Sequence, residues 1–417
     1  MRFRKVARRR SGLSPTFALA TLGCMLAAAC VDSGSDEVTG GAPVDDGPLY
    51  VMSVGVNTGT ERAAFGVLVD SLDAGAEADL GTAIEISNGG LFVGPERGEV
   101  AYEIDGAAPQ LTEFRFEADG SVERGRTVSF LDFSVTTMRA SGGNFVFFSD
   151  TKAYVIDTFT QTIIQWDPSA MTITGTIDLS GIARPGEVAL AGDRPLRRGD
   201  ELVIAIHYLG LGADGKTGFA PESMLVFLDP TTDAVQELVA IENCGGISDM
   251  FLDDQGDLYA ASDFAGITTR LVGDRGGPEC IVRVPAGTYD VADFTLLTDR
   301  TNGFFAGSMF QSEGTTAYFR VLDTSLLPED ALTTSEVSGA RAWFWGSLDL
   351  ASDEPIQVLR DLGSNAGATR GYRIDGETWV TESEEGFTGT TLVDVSGGGF
   401  RRGILAPGFV SNVFRVR

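Results

Sequence analysis

Residues 246–266, GISDMFLDDQGDLYAASDFAG, with ECIVRV at 279–284 and ADFTLLTDRTNGFFAGSMFQ at 292–311, decide how this chain folds. Two apolar runs, DMFLDDQG and FTLLTDRTNG, each end in a polar glycine turn and lead into a strand of small and aromatic residues, DLYAASDF and FFAGSMF. Asp, Asn and Gly tolerate the backbone angles of a tight reversal, so both pairs read as β-hairpins. The remainder of the chain varies that hairpin.

With 417 residues, 43% of them hydrophobic, and 53 Gly against 15 Pro, the chain can bury a large core while turning often. That balance points to an all-β protein. Alternation of period two recurs, as in Glu201 to Tyr208 and Ser223 to Leu228, and no stretch of about 12 residues in the body keeps a helical period.

A second repeat is an apolar strand that ends in Asp before a turn: GVLVDSL at Asp70, IIQWDPS at Asp167, LVFLDPT at Asp229, FRVLDTS at Asp323 and TLVDVSG at Asp394. An Asp there accepts backbone N–H groups of the turn, so each reads as the close of the third strand in a four-stranded unit. Six such units follow in order: 89–131, 132–180, 181–242, 244–289, 290–350 and 351–407. Residues 48–87 supply three more strands without an innermost one, and FVSNVFRVR at 409–417 is one strand without a blade. Joining them gives a seven-bladed β-propeller over 49–417, closed by pairing of its N- and C-terminal strands, which removes exposed sheet edges. A two-sheet solenoid or a pair of β-sandwiches is the competing reading.

Upstream, Arg2, Arg4, Lys5, Arg8, Arg9 and Arg10 precede an apolar run from Phe17 to Ala29 that stops at Cys30. This is a secretory signal over 1–29, too short to span a bilayer. Leu26-Ala27-Ala28-Ala29-Cys30 resembles a bacterial lipobox better than the residues before Cys24 do, which makes Cys30 the lipidated first residue of the exported protein; an ordinary cleaved signal peptide with an incidental cysteine is the alternative. Residues 30–48 then form a flexible acidic tether with too few apolar groups to fold. Taking the six leader cations from 31 Lys+Arg leaves 25 against 59 Asp+Glu, close to −34 for the exported part. Such a surface disfavours nucleic acid and anionic lipid as partners. Cys244 and Cys280 are the cysteines left after export, and a disulfide between them would close a loop stabilising by roughly 4 kcal/mol.

In a propeller the loops between second and third strands share a face with the connections between blades. Asn57-Thr58-Gly59-Thr60, Gly266-Ile267-Thr268-Thr269, Gly314-Thr315-Thr316 and Gly389-Thr390-Thr391 are assigned to that face, where a ligand is expected. His207 is the only histidine, so a Ser/His/Asp triad, a multi-histidine metal site or a histidine-rich redox centre cannot be spread over several blades, and no catalytic residue, metal site or cofactor is nominated. With Tyr208 it opens the longest loop of the set. Asp375-Gly376-Glu377-Thr378-Trp379 reads as a hairpin turn with a packing tryptophan, Asp253 to Asp257 as a solvated turn, and Trp343 with Trp345 as core.

The lipidated N-terminus, the acidic tether, Leu49-Tyr50-Val51-Met52-Ser53, GGLFVG at Gly89 and TITGTIDL at Thr172 resemble the MxcI-type bacterial surface lipoproteins, propellers associated with siderophore uptake. The resemblance implies an outer-membrane, lipid-anchored protein that binds a ferric siderophore, of catecholate type, and passes it to an outer-membrane transporter. An anionic chelate needs a locally basic, aromatic pocket, which Arg62, Arg184, Lys216 and Arg370 with Tyr208, Phe264, Phe310 and Phe387 could supply beside His207. The expectation is a binding protein and not an enzyme. A surface scaffold for protein partners and a lactonase-like or quinoprotein-like enzyme are the alternatives.

Overall fold

The computed structural model describes residues 47–57, 62–76, 78–87, 91–93, 100–105, 108–117, 120–135, 145–192, 195–273, 275–311, 314–329 and 333–417. The signal segment, Cys30, the tether as far as residue 46 and the glycines of GGLFVG lie outside them. Seven antiparallel sheets follow one another; in six of them the four main strands are taken in sequence order, and in the seventh the last strand of the chain stands beside the first three. This is the seven-bladed propeller expected.

Blade 1 takes Tyr50–Asn57, Arg62–Val69 and Ile84–Ile86 from the start of the fold and Phe409–Arg415 from its end. Blade 2 runs from Leu91–Val93 to Val122–Ser129 and blade 3 from Phe145–Ser149 to Thr172–Asp178. Blade 4 is the tallest, with Val188–Ala191, Glu201–Leu211, Thr217–Asp229 and Ala234–Ile241, plus a short strand Leu196–Arg198 on its first hairpin. Blade 5 comprises Ile247–Leu252, Leu258–Ser262, Cys280–Val284 and Asp293–Leu296. Blade 6 comprises Phe305–Gln311, Thr316–Leu322, Trp343–Asp349 and Gln357–Val358, and blade 7 Gly371–Ile374, Glu377–Ser383, Gly389–Asp394 and Arg401–Pro407.

Period-two alternation explains why the ring holds together. In Glu201–Leu211, Leu202, Ile204 and Ile206 pack against Tyr154, Ile156 and Ile163 of blade 3, whereas Val203 and Ala205 pack against Ile247, Met250 and Val282 of blade 5. Both sheet faces are therefore apolar, and each seam buries side chains of two neighbours. The closing seams follow the same rule, with Met52, Val67 and Val410 against Trp379 and Ile404 of blade 7, and Val51, Ile84 and Phe414 against Leu91 and Phe114 of blade 2. Closure itself is a ladder: Tyr50 pairs with Arg415, Val51 with Phe414 and Met52 with Val413. Leu49 N–H extends it to the Arg417 carbonyl at 3.1 Å.

Turn chemistry is as read at Asp229, whose carboxylate accepts from Thr231 N at 2.7 Å, and at Asp394, which accepts from Ser396 N at 2.9 Å. Asp253 accepts from the backbone of Gln255 and Asp257, so its segment is a self-contained turn. Asp375 and Gly376 both take positive φ, 53° and 83°, in a hairpin over which Trp379 is buried.

Three expectations are corrected. FTLLTDRTNG with FFAGSMF is not a hairpin: DFTL (Asp293–Leu296) is the fourth strand of blade 5, paired with CIVRV, and residues 297–303 carry the chain through one helical turn to blade 6. Asp323 follows a second strand, and the third-strand Asp of blade 6 is Asp349, which accepts from Ala351 N at 3.0 Å. DFAGIT is a helix, α1 (Phe264–Val272), because Asp263 caps it by accepting from Ala265 N at 2.7 Å and Ile267 and Val272 face a common apolar cluster. The one-turn α2 (Leu297–Arg300) and α3 (Thr334–Gly339), which opens on a Thr333–Glu336 capping box, complete the helices discussed.

Candidate functional site

Because the strands alternate in direction, connections between second and third strands emerge on the same side as those between blades. On this loop face the tall hairpin of blade 4, α1 of blade 5 and α3 of blade 6 form a raised arc. Ile267, Val337, Ala342 and Trp343 make its apolar base, and Trp343 Nε1 donates to the Val337 carbonyl at 2.9 Å. Cys244, entering blade 5, and Cys280, opening its third strand, form the expected disulfide under α1, with Cα atoms 5.4 Å apart. The segment SMFQSEGTT belongs to the opposite face, because Gly314 to Thr316 joins a first strand to a second.

The sequence-predicted binding residues of blade 4 are engaged with neighbouring residues of the fold. His207 and Tyr208 lie within the strand Glu201–Leu211, not on a loop, and both are buried. His207 Nδ1 sits 3.1 Å from the Ile247 carbonyl and its ring packs edge-on to Phe219. Burial raises the Tyr208 hydroxyl above its ordinary range, with Arg184 pulling the other way. Arg184 does come to Tyr208, 3.9 Å above its ring, but its guanidinium is bonded to Glu222 at 2.5 Å. Lys216 reaches across to the end of α1, donating to the Val272 carbonyl at 2.6 Å.

In blades 5 to 7 the aromatic predictions are packing residues. Phe264 meets Trp343 edge-on at 5.6 Å, and Phe387 meets Phe409 at 5.3 Å. Phe310 lies between Tyr318 and Trp345 in the seam of blades 6 and 7 and presses on Gly371. Arg370 is anchored through its backbone, its N–H donating to Thr381 Oγ1 at 2.8 Å and its carbonyl accepting from the same hydroxyl at 3.0 Å. Arg62 opens the third strand of blade 1, and its side chain lies outside the described residues. The structure thus joins Arg184 with Tyr208 and brings Phe310 to the residue after Arg370.

Two arginines that the sequence reading passed over stand out on this side. The other loop-face arginines with described ion pairs each meet a carboxylate: Arg184 Glu222, Arg270 Glu279, Arg275 Glu187 and Arg360 Asp323. Arg341, exposed just before the third strand of blade 6, is held by carbonyls, donating to Ser383 O at 2.8 Å and Ser364 O at 2.6 Å. Arg320, inside the second strand, is wholly buried and donates to Ala366 O at 2.6 Å. A lone cation in the apolar run AYFRVL was the signal for Arg320. Arg341, in SGARAWFW, carried none. Among the described residues no group of three or more His, Cys, Asp and Glu is placed to hold a metal ion.

No family model and no curated protein matches the sequence. Among solved structures, the fold is similar to a candidate 6-phosphogluconolactonase from Bacteroides fragilis, with 11% identity, a TM-score of 0.50, and 89% of this chain aligned to 99% of that one. A second candidate 6-phosphogluconolactonase, from Bacteroides uniformis, aligns 89% of this chain with all of its own at 10% identity and a TM-score of 0.49. AztD from Citrobacter koseri aligns over 88% of this chain and 98% of that one, at 11% identity and a TM-score of 0.40. At such identities the likeness speaks for fold alone. It nevertheless corrects the expectation that the chain is not an enzyme. The same ring frames a candidate lactonase, so a single histidine gives no ground for excluding catalysis.

Proposed function

We propose that this chain is a lipid-anchored propeller of the bacterial outer membrane that holds a small anionic ligand on its loop face, above the junction of blades 6 and 7. The observation that carries the reading is Arg341. On a chain of net charge −28 its guanidinium is exposed and oriented by two backbone carbonyls, with no bonded carboxylate among the described residues. Two carbonyls fix the fork and leave its positive charge for a guest. Leu326, 48% exposed on the same blade's loop insertion, adds apolar surface for a flat ring.

A ferric catecholate siderophore has this chemistry, anionic oxygens around a metal and aromatic faces outward. Its capture and transfer to an outer-membrane transporter is the role the MxcI-type resemblance suggests. The buried His207 and Tyr208 drop out of the binding set, and Arg341 replaces Arg184 as its anchor.

The test is a titration of full-length protein in detergent with iron(III) tris-catecholate and with metal-free catechol. Saturable binding of the ferric complex, weakened about tenfold or more by Arg341→Ala, is expected. No saturable binding, or equal affinity in the variant, overturns the reading. Mass analysis of the recovered ligand in the same experiment reports any turnover.

A further inference from the structure

Strand Thr316–Leu322 is buried on both faces, with Ala317, Phe319 and Val321 turned toward blade 5 and Tyr318 turned into the seam with blade 7. By alternation Arg320 shares that seam with Tyr318. Its side chain is 0% exposed, and its guanidinium lies 4.5 Å above the ring of Trp345. One nitrogen donates to Ala366 O, while Nε and Nη1 have no partner. Burial pulls its pKa down to about 9, and no neighbouring charge acts on it. At neutral pH the group is still a cation, since two pH units leave only about 1% neutral. A buried cation without a counter-charge is among the most costly arrangements a core can hold.

Two further polar groups of the seam lack partners, Asn365 Nδ2 and Ser383 Oγ. Asn365 precedes Ala366, whose carbonyl accepts from Arg320, and its Oδ1 accepts from Ser383 N at 2.8 Å, so all three residues belong to the same seam. The orphan atoms are therefore three N–H donor groups and a hydroxyl that can donate. A water placed among them could bond to these groups but would leave the guanidinium charge uncompensated, whereas an anion accepts from the donors and neutralises it. We propose that the seam between blades 6 and 7 encloses a small monovalent anion of the halide class, held by Arg320 with Asn365 and Ser383. It is a structural counter-ion, separate from any ligand at Arg341.

The experiment compares thermal unfolding of full-length wild type and Arg320→Met across bromide concentrations, with gluconate keeping ionic strength constant. The wild-type midpoint is expected to rise with the logarithm of bromide, by mass action on the folded state, and the variant's to stay flat. Arg402→Met, which removes an exposed cation of blade 7 paired with Glu382, should keep the wild-type response, which assigns the effect to Arg320 and not to surface charge. Anomalous diffraction from bromide-soaked wild-type crystals gives a second readout, decisive if the variant does not fold. A peak beside Nε and Nη1 supports the proposal, and "an adventitious ion only" is the outcome if the peak lies elsewhere. That outcome, an ordered water at the guanidinium, or equal bromide dependence in wild type and variant, overturns it.

Discussion

Replacing both Cys244 and Cys280 by alanine tests how blade 5 is held. The bridge ties the connection entering the blade to the first residue of its third strand, across a sequence separation of 36 that encloses two strands and α1. On the chain-entropy model, closing a loop of that length removes denatured-state freedom equivalent to about 4 kcal/mol. Both sulfurs are buried in the cluster with Val203, Leu225, Ile247 and Val282, so truncation adds a small void costing about 1 kcal/mol. The measurement is equilibrium urea unfolding under non-reducing conditions. With a slope of about 3 kcal/mol/M, the midpoint should fall by roughly 1–2 M. Wild type with reductant should lose most of the same amount. A variant midpoint equal to wild type, or two titratable thiols in the folded wild type, would refute the reasoning.

Glu113, fully buried in blade 2, is pushed up by burial, yet the bond from Arg126 and the charge of Arg115 outweigh this and leave its pKa below the ordinary value. Its contribution is complete above the ordinary carboxylate range and is lost as pH falls through the lowered folded value, so Glu113→Gln should flatten the acid limb of a stability–pH curve. At pH 7 the same change should cost about 1–3 kcal/mol, read by urea denaturation. A Cβ at Gly371 would collide with the ring of Phe310, so Gly371→Ala should cost about 1–3 kcal/mol and shift near-ultraviolet circular dichroism. Unchanged spectra and midpoint would mean that the ring is free to move.

The ring was legible because every blade repeats a local signal: alternation in the strands, Asp and Gly in the turns. The closing strand was legible by subtraction, since residues 48–87 offered three strands where other blades had four. The binding site was not, and His207 shows why. Loop composition was judged from HYLGLGADGKTG, but in the tall blade 4 the hairpin stays paired as far as Leu211 and Thr217. Both residues thus lie in the ladder under neighbouring blades. The α1 helix was missed for a related reason: nine residues are too few to establish a period, and its stability rests on the cap and on packing against α3's neighbours. Arg341 depends on carbonyls more than 20 residues away in sequence, which no local pattern encodes.

The innermost strand of blade 1 is the last to be made. Until residue 415 has been synthesised, the strand Tyr50–Asn57 must wait with one edge bare while six sheets form beside it. An arc of this kind can grow or misjoin with a sister molecule through that edge. Assembly therefore carries a hazard window that closes only when Phe409–Arg415 docks beside Tyr50–Asn57.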